Sequence, residues 1–353
     1  MDSSLKERLK DRFEKVLEEG IFSGRLEVQN FENTVSKFLK SSYSISCANG
    51  TDALELALRA LSIGLGDEVI VPALTWVSTA EAVVLVGAKP VFVDTDEQGL
   101  ISEDWPNAMT PKTKAVIPVH LYGKMVDMEP LVQKASQSGI FVIEDAAQAF
   151  GAFQKGKAAG TWGDVGCLSF YPTKNLGALG EAGMCLTQNS ALPEKIRLLL
   201  NHGQPVRDQH ELVGRNSRID SIQAAFLNVM LEDFEGNQTR RKAIAKYYLE
   251  EFSGISDLIL PEGILAEDHN AHLFVVQTER RDELRRHLEK IGIGTAIHYP
   301  KILPEMKPFL TLEGDFSISE RLSKKILSIP LNSHLNSDEV NTIIREIKSF
   351  FLP

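Results

Sequence analysis

Gly139-Ile140-Phe141-Val142-Ile143-Glu144-Asp145-Ala146-Ala147-Gln148 sets the fold class of this 353-residue chain. Its bulky apolar residues follow one another without polar alternation, as in a parallel strand covered on both faces. In open α/β sheets, ligands collect at the carboxyl ends of such strands, and Asp145 stands at one. An aspartate there also suits a helix N-cap, and the two roles are compatible. Outward from this strand the pattern alternates. It predicts a helix over 5–19, a helix opening at Thr51, a strand at 68–71, a helix over 76–86, strands at 91–93 and 115–119, and a helix over 128–138. Strands ending at Asp145, Phe170 and Leu186 complete a mostly parallel sheet with helices on both faces, an α/β fold. Near 234–241 the pattern becomes a long charged helix. The chain exceeds the size at which one core stops growing, so two lobes are expected: a large domain over 1–237 and a smaller C-terminal α+β lobe over 238–353.

A lysine lies downstream of that strand, in Ser169-Phe170-Tyr171-Pro172-Thr173-Lys174-Asn175-Leu176-Gly177, between an apolar run and a glycine-rich loop. A lysine desolvated beside apolar residues loses its preference for the charged form, and the neutral amine condenses with an aldehyde to form a Schiff base. With Asp145 placed to keep a pyridine ring protonated, the pair points to pyridoxal 5′-phosphate. The phosphate needs a site of its own. Ser46-Cys47-Ala48-Asn49-Gly50-Thr51-Asp52-Ala53-Leu54 is a small-residue turn opening an apolar-periodic helix, and free N–H groups at such a start bind anions. The alternative is that Asn49 or Thr51 serves there simply as a cap.

Asn49-Gly50-Thr51-Asp52-Ala53-Leu54, Asp145-Ala146-Ala147-Gln148, the Lys174 segment and Gly214-Arg215-Asn216-Ser217-Arg218-Ile219-Asp220-Ser221 stand in that order. Together they resemble the DegT/DnrJ/EryC1/StrS sugar aminotransferases over nearly the whole chain. The resemblance implies an aspartate-aminotransferase-like architecture, PLP fold type I, assembled as a homodimer. It implies that Lys174 is the Schiff-base lysine, that Asp145 pairs with the pyridinium and that Gln148 lies by the phenolic oxygen. Trp76 matches the aromatic that stacks on the ring, although an aromatic there also suits a core anchor. Gly50, Thr51 and Ser169 would hold the phosphate, and Asn216 would reach it from the other subunit. Tyr171, His298 and Tyr299 would line the sugar pocket, with Arg218 as a further substrate contact. For His298 and Tyr299 the alternative is a tight turn before Pro300.

The family's usual chemistry implies glutamate as donor and a keto nucleotide sugar as acceptor, with the 3-keto-6-deoxyhexose type favoured over the 4-keto type. Amino sugars of lipopolysaccharide or O-antigen are the expected destination. After Pro300 the chain carries Lys301-Ile302-Leu303-Pro304-Glu305-Met306 where many relatives carry His-Leu-Gln, which leaves the sugar contact and the nucleotide (dTDP, UDP or GDP) open. Competing readings are a dehydratase or lyase of the same fold, a non-catalytic cofactor-binding regulator and a nucleotide-sugar binding protein. Dehydratases of this type replace the lysine with histidine, a regulator would need a DNA-binding module, and a binding protein has no use for Asp145 and Lys174 together.

Composition agrees. A net charge of −10 argues against a nucleic-acid surface, and no apolar run approaches the length of a membrane span. Three cysteines without a C-x-x-C spacing read as small buried hydrophobes, and with no apolar signal core near Met1 and no membrane-length run a cytoplasmic enzyme is expected. Gly177-Ala178-Leu179-Gly180-Glu181-Ala182-Gly183 superficially resembles a dinucleotide loop, yet it leads into a strand and is read as a flexible turn giving Lys174 room to swing. His269 and His272 lack a third ligand at a diagnostic spacing, so no metal is expected and both are read as loop and strand-edge residues.

Overall fold

The computed structural model describes residues 3–24, 26–311 and 313–352. A seven-stranded sheet forms its centre. In chain order the strands are β1 (Tyr43–Cys47), β2 (Glu68–Pro72), β3 (Lys89–Val93), β4 (Thr113–Val116) and β5 (Phe141–Asp145). A small hairpin, β6 (Phe153–Gln154) and β7 (Lys157–Ala158), precedes β8 (Val165–Ser169) and β9 (Gly183–Thr187). Across the sheet the order is β1-β9-β8-β5-β4-β2-β3. Only β9 runs against its neighbours; the pairs from β8 to β3 are parallel.

The helices of this part are α1 (Ser3–Glu19), α2 (Leu26–Leu39), α3 (Gly50–Ala60), α4 (Ser78–Leu85), α5 (Met128–Ser138), α6 (Pro193–Leu199) and α7 (Ser221–Glu232). Alternate strand residues feed two cores. Ile70, Val116, Val142, Leu168 and Leu186 pack with Phe31 and Val35 of α2, Leu131 of α5 and Leu227 of α7. Val69, Val71, Ile143, Cys167 and Cys185 face Leu54 and Leu58 of α3, Val83 of α4 and Ile196 of α6. Burial on both faces explains the unbroken apolar runs.

Among the elements that the sequence pattern misses are α2 and β1. Strand β1 reads Tyr-Ser-Ile-Ser-Cys, too polar for a core strand by composition. Its serines are satisfied by α2. Ser44 Oγ lies 2.8 Å from Ser36 Oγ, and Ser46 gives both its N–H and its hydroxyl to Glu32, each at 2.8 Å. Ile45 and Cys47 alternate into the second core. The helix expected over 76–86 begins at Ser78, which leaves Trp76 in the turn ahead of it.

Beyond α7 follow α8 (Phe234–Phe252), β10 (Phe274–Gln277), α9 (Arg281–Lys290), α10 (Ser317–Lys325), β11 (Ile326–Ile329) and α11 (Ser337–Phe351). Strands β10 and β11 pair antiparallel. Tyr248, Phe252, Phe274, Leu284, Leu327 and Ile344 form a third core here. Ile302, Phe316, Leu322 and Ile326 instead join the first core and seat this part against the large sheet.

Candidate active site

The parallel strands β1, β2, β4, β5 and β8 all end on one side of the sheet, and the loops leaving those ends hold the site. Asp145 is the last residue of β5 and is 5% exposed. No helix follows it, so its expected second role as a helix cap gives way to a turn in which Ala147 N–H donates to Asp145 Oδ1 at 3.3 Å. The other oxygen, Oδ2, accepts from Thr79 Oγ1 at 2.8 Å. Burial raises the Asp145 pKa above the usual carboxylate value, while Thr79, Ala147 N–H and the charge of Lys174 oppose that rise. The neighbouring Glu144 points to the opposite face. There it accepts from Gly160, Trp162 and Gly163 N–H and pairs with His120 Nε2 at 3.0 Å, so it organises a loop rather than the site.

Lys174 follows β8. Phe170 is fully buried, edge-on to Phe31 at 5.1 Å and to Phe150 at 5.7 Å, and so anchors the base of the lysine loop. Lys174 N–H donates to Tyr171 O and Ala178 N–H to Phe170 O, while a Cβ on Gly177 would stand 2.6 Å from Pro172 O. These contacts hold the backbone over 170–178, up to the near end of the 177–183 turn that the sequence suggests is flexible. That side chain is half-buried, and desolvation lowers its pKa to about 8 against the opposing pull of Asp145. A substantial fraction of the amine is therefore neutral near physiological pH.

The neighbouring Asn175 fixes the loop laterally. Its amide donates to Asn270 O at 2.8 Å and Gln238 Oε1 at 3.1 Å, and its Oδ1 takes His272 Nδ1 at 2.9 Å. His272, in the loop two residues ahead of β10, is thus a buried brace of the lysine loop. Burial first, then the charge of Lys174, holds its pKa well below the ordinary imidazole value. His269 is buried too, its pKa lowered to about 3 chiefly by desolvation, and its Nδ1 accepts from Ala271 N–H. Among the described residues no group of three or more His, Cys, Asp or Glu is arranged to hold a metal ion.

At the start of α3, Asn49 caps Asp52 N–H with its side chain at 2.9 Å. Gly50 and Thr51 occupy the first turn, where N–H groups lack helical partners. A Cβ on Gly50 would stand 2.8 Å from Ser169 Cβ, so glycine alone lets the helix start and the end of β8 approach this closely. Thr51 Oγ1 lies 2.7 Å from Ser78 Oγ. Hydroxyls of Thr51, Ser78 and Ser169 thus meet the helix N-terminus, a donor set suited to a phosphate. Ser78 and Thr79 escape the sequence reading although they lie only two and three residues after Trp76.

Gln148 and Tyr299 meet at 3.1 Å, and Gln148 Oε1 accepts from Tyr122 N–H. The Trp76 and Tyr299 rings lie 5.4 Å apart, and Trp76 is 55% exposed, which removes the core-anchor reading. His298 Nδ1 lies 2.8 Å from Ser328 Oγ, and its carbonyl accepts from Tyr122 OH. Tyr171 is exposed. The structure therefore brings Gln148, Trp76, His298 and Tyr299 together, with Tyr122 as a link that the sequence did not reveal. Arg218 behaves differently, because its guanidinium donates to Asn201 Oδ1. Asn216 is exposed, while Ser217 braces the α3 start through its carbonyl on Ala48 N–H and its hydroxyl on Asp52.

Residues 3–348 match the DegT/DnrJ/EryC1/StrS aminotransferase family. The chain belongs to this family. It is 40% identical over 337 residues to the UDP-N-acetyl-3-dehydro-alpha-D-glucosamine 3-aminotransferase of Acidithiobacillus ferrooxidans, covering 95% of this chain and 91% of the relative. It is 38% identical over 344 residues to the dTDP-3-amino-3,4,6-trideoxy-alpha-D-glucose transaminase of Streptomyces venezuelae, covering 95% and 90%. Among solved structures, NtdA from Bacillus subtilis with bound cofactor PMP superposes with a TM-score of 0.94 at 30% identity, over 100% of this chain and 83% of that one. These likenesses agree with the sheet order and with the aminotransferase class that the family name states.

Proposed function

We propose that this family member transfers an amino group from glutamate to the keto carbon of a nucleotide sugar, with pyridoxal 5′-phosphate as cofactor. The observation that carries the reading is a Lys174 amine within electrostatic reach of the buried Asp145, on a sheet edge where Gly50 lets the start of α3 approach Ser169 at the end of β8. Bound there, the cofactor supplies an aldehyde for the amine and a ring that accepts electrons from the substrate carbon.

The chain's own residues then divide the work. Gly50 and Thr51 N–H with the Ser169 and Ser78 hydroxyls would hold the phosphate. Asp145 Oδ1 would hold the ring nitrogen's proton, Trp76 would wall the ring, and Gln148 would reach the phenolic oxygen. Lys174 Nζ, as the free amine, moves the proton at the substrate carbon. Tyr171, His298 and Tyr299 line the sugar pocket, where desolvation and the Lys174 charge lower the His298 pKa and keep its ring neutral.

A homodimer with shared sites fits the outward Asn216, whose amide would reach the phosphate bound by the other subunit. It also gives Arg218, occupied by Asn201 within its own chain, a place at the interface. The lobes over 1–237 and 238–353 would join within α8. A cytoplasmic setting suits the three buried free thiols.

The names of both relatives place the amino group at C3 of the sugar, which supports a 3-keto acceptor. The test is a panel of 3-keto and 4-keto sugars on dTDP, UDP and GDP, supplied with enzyme, pyridoxal phosphate and glutamate. The expected result is glutamate consumption with a 3-keto sugar; consumption with 4-keto sugars alone moves the specificity to C4, and consumption with none removes the reading.

A further inference from the structure

Resting on the reading of Asp145 as partner of the ring nitrogen, we propose that Thr79 is a positioning residue that dictates which Asp145 oxygen meets that nitrogen and keeps the carboxylate charged. Thr79 is fully buried, and its hydroxyl lies 2.8 Å from Asp145 Oδ2. An ionised carboxylate only accepts, so the single hydroxyl proton of Thr79 goes to Asp145. The contact between Thr75 and Thr79 at 3.2 Å then has one direction, with Thr75 donating. The result is a hydroxyl relay of fixed polarity running Thr75 to Thr79 to Asp145.

The two carboxylate oxygens are left unequal. Oδ2 is committed to Thr79 at 2.8 Å, whereas among the described residues Oδ1 has only the long 3.3 Å contact from Ala147 N–H and keeps a lone pair for the ring. The same residue joins the site's wall to its base, because Thr79 N–H donates to Trp76 O at 3.2 Å. Burial presses the carboxylate towards its neutral form, and Thr79 gives the leading opposing contribution; Ala147 N–H, Lys174 and His120 act in the same sense. Tyr299 and Cys167 also sense the Asp145 charge. Without the Thr79 hydroxyl, Asp145 becomes more basic and free to rotate, and both changes draw the proton away from the ring nitrogen.

The experiment compares wild type, Thr79→Val, Thr79→Ser and Asp145→Asn holoenzymes reconstituted with pyridoxal phosphate labelled with nitrogen-15 in the ring, whose chemical shift reports ring protonation. Thr79→Val should move the shift towards the neutral-pyridine end, with kcat lower by about tenfold, the worth of one hydrogen bond to a charged group. Thr79→Ser, which keeps the hydroxyl, should stay at the wild-type shift. Thr79→Ala is read in parallel, so that a poorly folded valine variant does not decide the outcome. The inference is overturned if Asp145→Asn moves the shift while both Thr79→Val and Thr79→Ala leave it at the wild-type position, or if Thr79→Ser moves as far as they do, which would make the role one of packing. If Asp145→Asn itself leaves the shift unchanged, the reading of Asp145 falls and the inference with it.

Discussion

Lys174→Ala protein should lose amino transfer by about 10^4-fold, the upper range for removing a positioned proton-transfer group, while still binding pyridoxal phosphate through the α3 start. The expectation follows from how the loop is built. Phe170 is anchored in the aromatic core, Asn175 is tied to Asn270 and His272, and neither contact uses the Lys174 side chain. Truncation therefore removes the amine without loosening its frame, and the melting temperature should be nearly unchanged. Lys174→Ala chains mixed with inactive Asn216→Ala chains should regain activity on subunit exchange. A heterodimer with shared sites has one site carrying both lesions and one carrying neither. Single-turnover and steady-state assays measure both outcomes, and exchange without recovered activity removes Asn216 from the partner's site.

Asp145→Asn should reduce kcat by about 10^3-fold, since a preorganised charge of this kind contributes on that scale. The sign of its effect on stability is opposite to intuition. Burial raises the Asp145 pKa above its unfolded value, so the cofactor-free fold binds this proton more readily than the unfolded chain does. Above the ordinary carboxylate pKa, stability falls as pH rises through the raised value, and at neutral pH the charge is a cost. The neutral amide removes that cost, and the cofactor-free variant should melt no lower than wild type at pH 7. It should also lower the Lys174 pKa below about 8, because Asp145 supplies the attraction that opposes desolvation there. The pH dependence of Lys174 labelling in cofactor-free protein checks this. A midpoint unchanged from wild type would mean that the two groups do not sense each other.

The central sheet was legible because burial on both faces writes itself as unbroken apolar runs; 139–148 shows this best, and the helix over 128–138 was read at its observed ends. Strand β1 was not legible. Its serines look like loop residues until α2 places Ser36 and Glu32 against them, a tertiary contact with no local signal. The site divides in the same way. Lys174, Asp145 and the Gly50 turn carry chemistry in their residue types and could be found in order along the chain. Thr79, Tyr122 and His272 act through hydrogen bonds to residues 66, 26 and 97 positions away, and a lone hydroxyl or imidazole gives no sign of that. Trp76 shows the limit from the other side. Its identity fits a core anchor or a ring wall equally well, and only its exposure beside Tyr299 separates them.

The central claim is that Lys174 carries the cofactor. Borohydride reduction of the yellow holoenzyme, followed by proteolysis and mass mapping of the peptides, tests it most directly. The account predicts one pyridoxyl-modified peptide per chain with the modification on Lys174; modification of another lysine, or a reduced protein carrying none, would contradict it.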